Sequence, residues 1–242
     1  VKLFVLTGAG VSAESGVSTF RDAGGIWTKY DFREVATPEG FARDPAKVHA
    51  FYNWRRKFLQ QAEPNAAHRA LARLQTELAA RGGELFLCTQ NVDDLHERGG
   101  ATQVLHMHGE LLKVRCTNCG TSREERGEIS VETVCKRCGT NGGLRPDVVW
   151  FGETPRSLDL ISAKVAQADL FLSLGTSGTV YPAAGLVAEA RAAGVRTCEL
   201  SLEPSENARA FDEARYGPAT EIVPAWVDDL LSGLEARAFK AG

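Results

Sequence analysis

The chain has 242 residues, of which 43% are hydrophobic, 24% charged and 8% aromatic. This is ordinary globular usage, with length for one large α/β domain or for a large and a small one. Twenty-eight basic residues against 31 acidic ones leave a formal charge of −3, so no global field draws the chain to a phosphate backbone or an anionic membrane, and specific nucleic acid is a poor partner. No apolar run approaches the roughly 20 residues a membrane-spanning helix needs, which excludes a membrane span as well as a collagen or a disordered tail. The opening Val-Lys-Leu-Phe-Val-Leu lacks a charged region followed by a cleavage site, and a cytoplasmic location is expected.

Residues 1–6 form a short apolar run rich in β-formers that stops at Thr7-Gly8-Ala9-Gly10, the pattern of a central parallel strand entering a glycine turn. Residues 21–40 contain glycines and lack periodicity, which predicts an irregular loop over the site. Helical patterns follow over 46–61 and, behind a Pro64-Asn65 cap signal, over 66–81. The strand grammar recurs where residues 85–88 run into Thr89-Gln90-Asn91. Residues 112–144 break the alternation, with four cysteines, five glycines and too little apolar material for a core, so this segment needs a metal to fold. Beyond it come a helix over 158–167, a strand over 170–174 ending at Gly175-Thr176-Ser177, and a helix over 183–193 closed by Gly194. A strand over 197–200 then runs into Ser201-Leu202-Glu203, and a helix covers 225–239. Strands alternating with helices predict an α/β fold with a doubly wound, parallel, Rossmann-like sheet built from residues 1–111 and 145–242, with 112–144 as an inserted zinc-binding module. Ligands of such a sheet bind beyond the strand C-termini. No internal repeat or low-complexity tract is evident.

Gly8-Ala9-Gly10-Val11-Ser12-Ala13 fits G-x-G-x-x-G/A directly after a strand, where glycines permit a tight turn and let a helix N-terminus approach a pyrophosphate. Alone this is weak, because glycines also simply make turns. A dehydrogenase would next supply a second strand with a ribose-binding acid about 20 residues on; this chain enters the irregular segment instead, so the adenosine ribose falls to Ser201, Leu202 and Glu203. The pairs Cys116/Cys119 and Cys135/Cys138 have the spacing of a four-thiolate structural zinc site. A nucleic-acid ribbon or a redox CxxC is the alternative, disfavoured by the acidic chain and the polar surroundings. Cys88 and Cys198 lie in apolar stretches and read as buried hydrophobes.

Gly8-Ala9-Gly10 with Ser12-Ala13-Glu14-Ser15-Gly16 and Phe20-Arg21-Asp22, then Thr89-Gln90-Asn91-Val92-Asp93, His108-Gly109, the paired CxxC, Phe151-Gly152-Glu153 and Gly175-Thr176-Ser177 occur in that order. The set resembles the sirtuin family of NAD-dependent protein lysine deacylases over nearly the whole chain. The resemblance implies that NAD is consumed as a co-substrate. The acyl-lysine amide oxygen attacks the anomeric carbon as nicotinamide leaves; His108 then takes a ribose hydroxyl proton as general base, and water completes the transfer to give lysine and O-acyl-ADP-ribose. Imidazole suits that role near neutrality. His106 shares the segment, while His49, His68 and His96 are expected to be structural or solvent-facing. Gln90 and Asn91 orient ribose hydroxyls and a water, with Asn91 also catalytic, and Asp93, next to Val92, accepts from the nicotinamide amide. Gly8, Ala9, Gly10, Ser12, Ala13 and Glu14 belong to the first NAD-binding turn, with Phe20 and Arg21 covering ribose and diphosphate. Gly175, Thr176 and Ser177 supply donors at a second helix start. Ser201 stands where sirtuins usually have Asn, and Ala219 in Tyr216-Gly217-Pro218-Ala219 resembles the adenine-side loop.

Tyr52 and Arg55 lie on one helical face at i, i+3, where guanidinium and phenol can grip a carboxylate. The pair is similar to that of the succinyl-accepting sirtuins of bacteria and archaea. An exposed surface arginine is the bland alternative. Phe32 occupies a position expected to be small in acid-preferring relatives, so an aromatic there narrows the pocket, and both acetyl- and succinyl-lysine are the expected substrates. Val149 and Phe151, ahead of Gly152 and Glu153, form an edge where an acyl-lysine peptide could pair by β-augmentation; an ordinary buried strand is the other reading. Protein mono-ADP-ribosyl transfer and a non-catalytic NAD-sensing module are the rival functions, and the oligomeric state is left open.

Overall fold

The structure is a computed structural model that describes residues 1–17 and 30–241. Six parallel strands form the large sheet: β1 (Lys2–Thr7), β2 (Glu84–Thr89), β3 (Val104–His106), β7 (Leu170–Leu174), β8 (Arg196–Ser201) and β9 (Glu213–Tyr216), in the order β3-β2-β1-β7-β8-β9. The direction of winding reverses between β1 and β7, and a doubly wound sheet opens a crevice at that point beyond its strand C-termini. β1 is apolar because helices cover both its faces. Phe4, fully buried, sits in register with Phe86 of β2 and Phe171 of β7, its ring 5.4 and 5.5 Å from theirs.

Eight α-helical segments accompany the strands among the described residues: α1 (Phe32–Val35), α2 (Pro38–Arg43), α3 (Pro45–Leu59), α4 (Ala66–Ala80), α5 (Leu95–Arg98), α6 (Leu158–Ala166), α7 (Leu186–Ala192) and α8 (Ala219–Ala241). Helices α4 and α8 bury Leu71, Leu74, Leu78, Val223 and Val227 on one face of the sheet. Ile161 and Val165 of α6 with Leu186, Val187 and Ala190 of α7 cover the other. A third cluster joins α3 to Leu111, Leu112, Val148 and Trp150 below the small sheet. The expected Asn65 cap is present: its side chain accepts from the Ala67 amide, and its own amide donates to His68 Nδ1.

The expected loop over 21–40 is corrected in its described part. Asp31 caps α1 and Thr37 caps α2 ahead of Pro38, and these short capped turns need no long apolar repeat. Residues 183–193 divide into a 3₁₀ turn and α7, and α8 begins at Ala219, ahead of the expected 225.

A small antiparallel sheet, in the order β5-β4-β6, is made by β4 (Gly109–Cys116), β5 (Ser122–Glu124) and β6 (Leu144–Val148). Its core is Val114, Cys116, Ile129, Cys135 and Leu144. The unit Cys-x-x-Cys-Gly-Thr occurs twice, at 116–121 and 135–140. In each, the glycine (Gly120 φ +70°, Gly139 φ +73°) returns its amide to the carbonyl of the first cysteine.

Candidate active site

A cavity of about 1150 Å³ opens at the C-terminal ends of β1, β2, β7 and β8 and extends under the small sheet to α3. It exceeds the usual size of a single small-molecule pocket. Gly8, Ala9, Gly10, Ser12, Ala13, Glu14, Gln90, Asn91, Val92, Asp93 and His108 all line it, as do Gly175, Thr176, Ser177, Ser201, Leu202, Glu203 and Ala219. Tyr52, Arg55, Val149, Phe151, Gly152 and Glu153 complete its far wall. Phe20 and Arg21 lie outside the described residues.

The first glycine turn differs from expectation in two respects. No α-helix starts at Gly10; the chain makes 3₁₀ turns at Ala9–Val11 and Ala13–Ser15. None starts at Gly175 either, where a loop leads to the turn at Ala183–Gly185. The glycines serve close packing of the two strand ends. A Cβ on Gly8 would come 2.8 Å from the Gly175 carbonyl oxygen, and one on Gly10 2.8 Å from the Gly175 Cα. Gly175 itself adopts φ +61° with Val11 N 2.6 Å from where its Cβ would stand. Backbone bonds from Gly8 to Leu174 and from Gly10 to Gly175 close the contact.

A buried hydrogen-bond chain orients the floor. Because Asn65 N–H donates to His68 Nδ1 (3.2 Å), neutral His68 carries its proton on Nε2 and donates to Ser12 Oγ (3.3 Å). Ser12 also accepts from Asn91 Nδ2 (3.2 Å) and donates to Asp93 Oδ2 (3.0 Å). Asn91 Nδ2 donates further to the Gly8 carbonyl (3.1 Å), so both its amide protons are engaged and Oδ1 is left as an acceptor toward the cavity. Burial raises the Asp93 pKa, against the lowering effect of its bonds from Leu95 and Ser12. Burial pushes His68 down to about 4. His49, His68 and His96 are all buried, so the structural half of their expectation stands and the solvent-facing half is corrected.

His106 and His108 each clamp a carbonyl of the β2–α5 loop. His108 Nδ1 lies 3.0 Å from the Gln90 oxygen, and His106 Nδ1 3.1 Å from the Asn91 oxygen. A carbonyl only accepts, so neutral His108 holds its proton on Nδ1 and its Nε2 lone pair is free to take another. Burial lowers the His108 pKa, only partly offset by that bond. At His106, burial also disfavours the charged form, but the Glu97 carboxylate (2.7 Å) and Glu110 outweigh it and the pKa is raised.

At the α3 end, Arg55 is half-buried, its guanidinium 5.6 Å from the Tyr52 ring centroid. Burial lowers its pKa, opposed by Tyr52 and Asp93. Ala36, 4% exposed, lines the same cavity, whereas Phe32 does not. Phe32 is 42% exposed and its ring lies 4.7 Å from that of Phe151 outside the wall, so the expected narrowing residue is absent from the lining. Sequence reading passed over Ala36 because alanine carries no chemistry of its own.

Three further expectations change. Val149 N–H donates to the His108 carbonyl, Trp150 N–H to Glu153 and Phe151 N–H to the Ala36 carbonyl, while the Trp150 carbonyl accepts from the Glu153 amide, so the amides of 149–151 are taken and an incoming strand meets the carbonyls of Val149 and Phe151. Glu153 gives both carboxylate oxygens to Arg145 (2.7 and 2.9 Å). Glu14 gives both of its own to Thr220, tying the first turn to the start of α8.

The four cysteine sulfurs lie within 4.8 Å of one another, with Cys116–Cys138 at 3.7 Å and Cys119–Cys135 at 3.8 Å. Tetrahedral zinc with Zn–S bonds near 2.3 Å requires sulfur separations of roughly 3.8 Å. The four thiols are positioned to bind one zinc, with no place left for water or substrate.

Residues 8–182 match the sequence profile of the Sir2 family. The chain is 63% identical over 234 residues to the NAD-dependent protein deacylase of Caulobacter vibrioides, covering 97% of this chain and 98% of that protein. It is 54% identical over 237 residues to the NAD-dependent protein deacylase of Escherichia coli K12, covering 97% of this chain and 84% of that one. Among solved structures it is similar to a mutant Sir2 homologue in complex with ADP-ribose, with a TM-score of 0.87 and 40% identity over 97% of this chain and 93% of the other. A Sir2 homologue–NAD complex gives a TM-score of 0.85 and 41% identity over 96% and 90%. The chain belongs to the Sir2 family.

Proposed function

We propose that the protein is an NAD-dependent protein lysine deacylase that takes both acetyl- and succinyl-lysine and releases nicotinamide, free lysine and O-acyl-ADP-ribose. The observation that carries this reading is one cavity lined at one end by the glycine strand ends, at the centre by His108 with a free Nε2, and at the other by Tyr52 and Arg55. Two relatives carry the deacylase name at 54–63% identity over 97% of this chain.

NAD fits the crevice between β1 and β7, where the packed glycines bring two loops of backbone donors together. Asn91 Oδ1 accepts from a ribose hydroxyl or a water, Asp93 from the carboxamide of nicotinamide, and Ser201 to Glu203 with Ala219 lie on the adenosine side. His108 Nε2 removes a proton from the ribose hydroxyl whose oxygen then attacks the acyl carbon. With its pKa below the ordinary histidine value, the base is neutral and ready at pH 7. Arg55 and Tyr52 bind the distal carboxylate of a succinyl group, and Ala36 leaves the room for it. Acetyl-lysine leaves that end empty and still reaches the base.

The acylated peptide approaches along residues 149–153 through carbonyls and the Gly152 turn. One zinc holds the module at 112–144. Thiolate ligands of this kind fit a reducing cytoplasm, and no helix among the described residues is long and apolar enough to cross a membrane.

The test is to incubate the protein with NAD and matched acetyl and succinyl peptides, alongside His108→Ala and Arg55→Met, measuring peptide mass and nicotinamide. His108→Ala loses both activities; Arg55→Met loses succinyl removal by at least tenfold and keeps acetyl removal. NAD-dependent gain of ADP-ribose on protein, with the acyl groups intact, would instead mark a mono-ADP-ribosyltransferase.

A further inference from the structure

Trp150 precedes the Phe151-Gly152-Glu153 stretch and is 3% exposed. Its indole Nε1–H donates to the Tyr52 hydroxyl oxygen over 2.9 Å. The Arg55 guanidinium lies against the same side chain, 5.6 Å from its ring centroid. An indole N–H and a guanidinium are donors only. A phenol oxygen that receives from the indole cannot return its own proton to it, nor to a guanidinium, and among the described residues its hydroxyl has no acceptor. The open direction is the cavity, which both Tyr52 and Arg55 line.

The indole is itself held rigidly. The Arg145 guanidinium lies 3.3 Å from its ring centroid, and Arg145 is fixed by Glu153 and by the Val148 carbonyl at 3.0 Å. Glu153 also accepts from the Trp150 amide at 2.8 Å. The ring also meets Phe41, with centroids 5.3 Å apart. The orientation of one N–H is therefore set by an ion pair, a stacked cation and two backbone groups.

We propose that Trp150 is a positioning residue for acid-bearing acyl groups: its indole N–H occupies the wall-side lone pair of the Tyr52 oxygen and turns the phenol proton toward the cavity, where it is donated to the distal carboxylate. The inference rests on the reading of Tyr52 and Arg55 as the carboxylate site. Without the indole donor, the vacated lone pair recruits an Arg55 N–H or a water, and the guanidinium loses its two-pronged approach to the carboxylate. Acetyl-lysine has no group at that end to sense the change.

Trp150→Phe keeps an aromatic face for Arg145 and removes the donor together with part of the ring volume. The experiment measures KM and kcat for succinyl and acetyl peptides in wild type, Trp150→Phe, Tyr52→Phe and the double variant, with thermal midpoints to establish folding. The expected result is a ratio of succinyl to acetyl KM raised about fivefold by Trp150→Phe, the size of one neutral hydrogen bond, with kcat changed little for either peptide. In the Tyr52→Phe background the same replacement adds nothing to that ratio. An unchanged ratio, with both peptides slowed alike, would make the indole mere packing, and an undiminished effect without the Tyr52 hydroxyl would sink the proposed route. Failure of the underlying reading looks different: wild-type protein that removes acetyl and leaves succinyl untouched.

Discussion

The parallel sheet and the cysteine module hold their functional parts in place by opposite means. In the sheet, β1 is covered on both faces and Phe4, Leu71, Leu74 and Leu78 are buried to within 1% of completely, so burial of apolar area positions the strand ends. The module buries five residues in its core, two of them its own cysteines. A core that small cannot offset the ordering of the chain around it, and coordination must do so. The two regions meet on α3. Asn53 bonds to both the amide and the carbonyl of Ile129, Arg56 to the carbonyls of Leu111 and Gly127, and Gln60 to that of Arg126. The helix that carries Tyr52 and Arg55 is thus braced by the module as well as by the core.

The largest break in this comparison is Cys119→Ala. The remaining three thiols form an incomplete site, and since structural zinc contributes on the order of 10 kcal/mol to such folds, bound zinc measured by atomic absorption falls to a small fraction. The parallel sheet keeps its far-UV signature, while succinyl removal suffers more than acetyl removal as α3 loses its brace. Zinc retained in full by that variant would contradict the four-thiolate site.

Phe4→Ala does the reverse. It opens a cavity where three rings stack and lowers unfolding stability by roughly 3–5 kcal/mol, read as a lower denaturant midpoint, with zinc content unchanged at low denaturant. A loss below about 1 kcal/mol would mean that the aromatic ladder is not part of the sheet's support.

A finer contrast comes from pH. An unfolded histidine takes up its proton near 6.5, whereas folded His68 does so only at about 4. Between those values the unfolded chain binds the extra proton, so stability falls as pH falls, by about 3 kcal/mol in total, and above 6.5 the effect vanishes. His106, with a raised pKa, has the opposite sign: its contribution is present below 6.5 and is lost as pH rises through its folded value. Denaturation of wild type and His68→Gln at pH 7 and pH 5 separates the two, the variant losing less on acidification. Equal losses would remove His68 from the account of acid sensitivity.

The strand-end clusters and the paired cysteines were legible in the sequence because each carries its chemistry in consecutive or evenly spaced residues. The polar groups following β1, β2, β7 and β8 do converge on one cavity. What the sequence hid was the partner of each side chain. Glu14 and Glu153 read as ligand contacts, yet their carboxylates are tied to Thr220 and Arg145, which lie 206 and 8 residues away along the chain. β9 is exposed throughout and shows no apolar alternation to announce it. Phe32 drew notice by its size while Ala36, four residues on, lines the wall, and only the turn of α1 decides which of the two lines the cavity.

In the proposed function, one cavity joins an NAD-consuming base to a recogniser of acid-bearing acyl groups. Mass spectrometry of a reaction containing the protein, NAD and a succinyl-lysine peptide tests it most directly. The expected products are free lysine peptide, nicotinamide and O-succinyl-ADP-ribose in equal amounts, all absent with His108→Ala. Free succinate formed without nicotinamide release, or a reaction indifferent to His108, would contradict it.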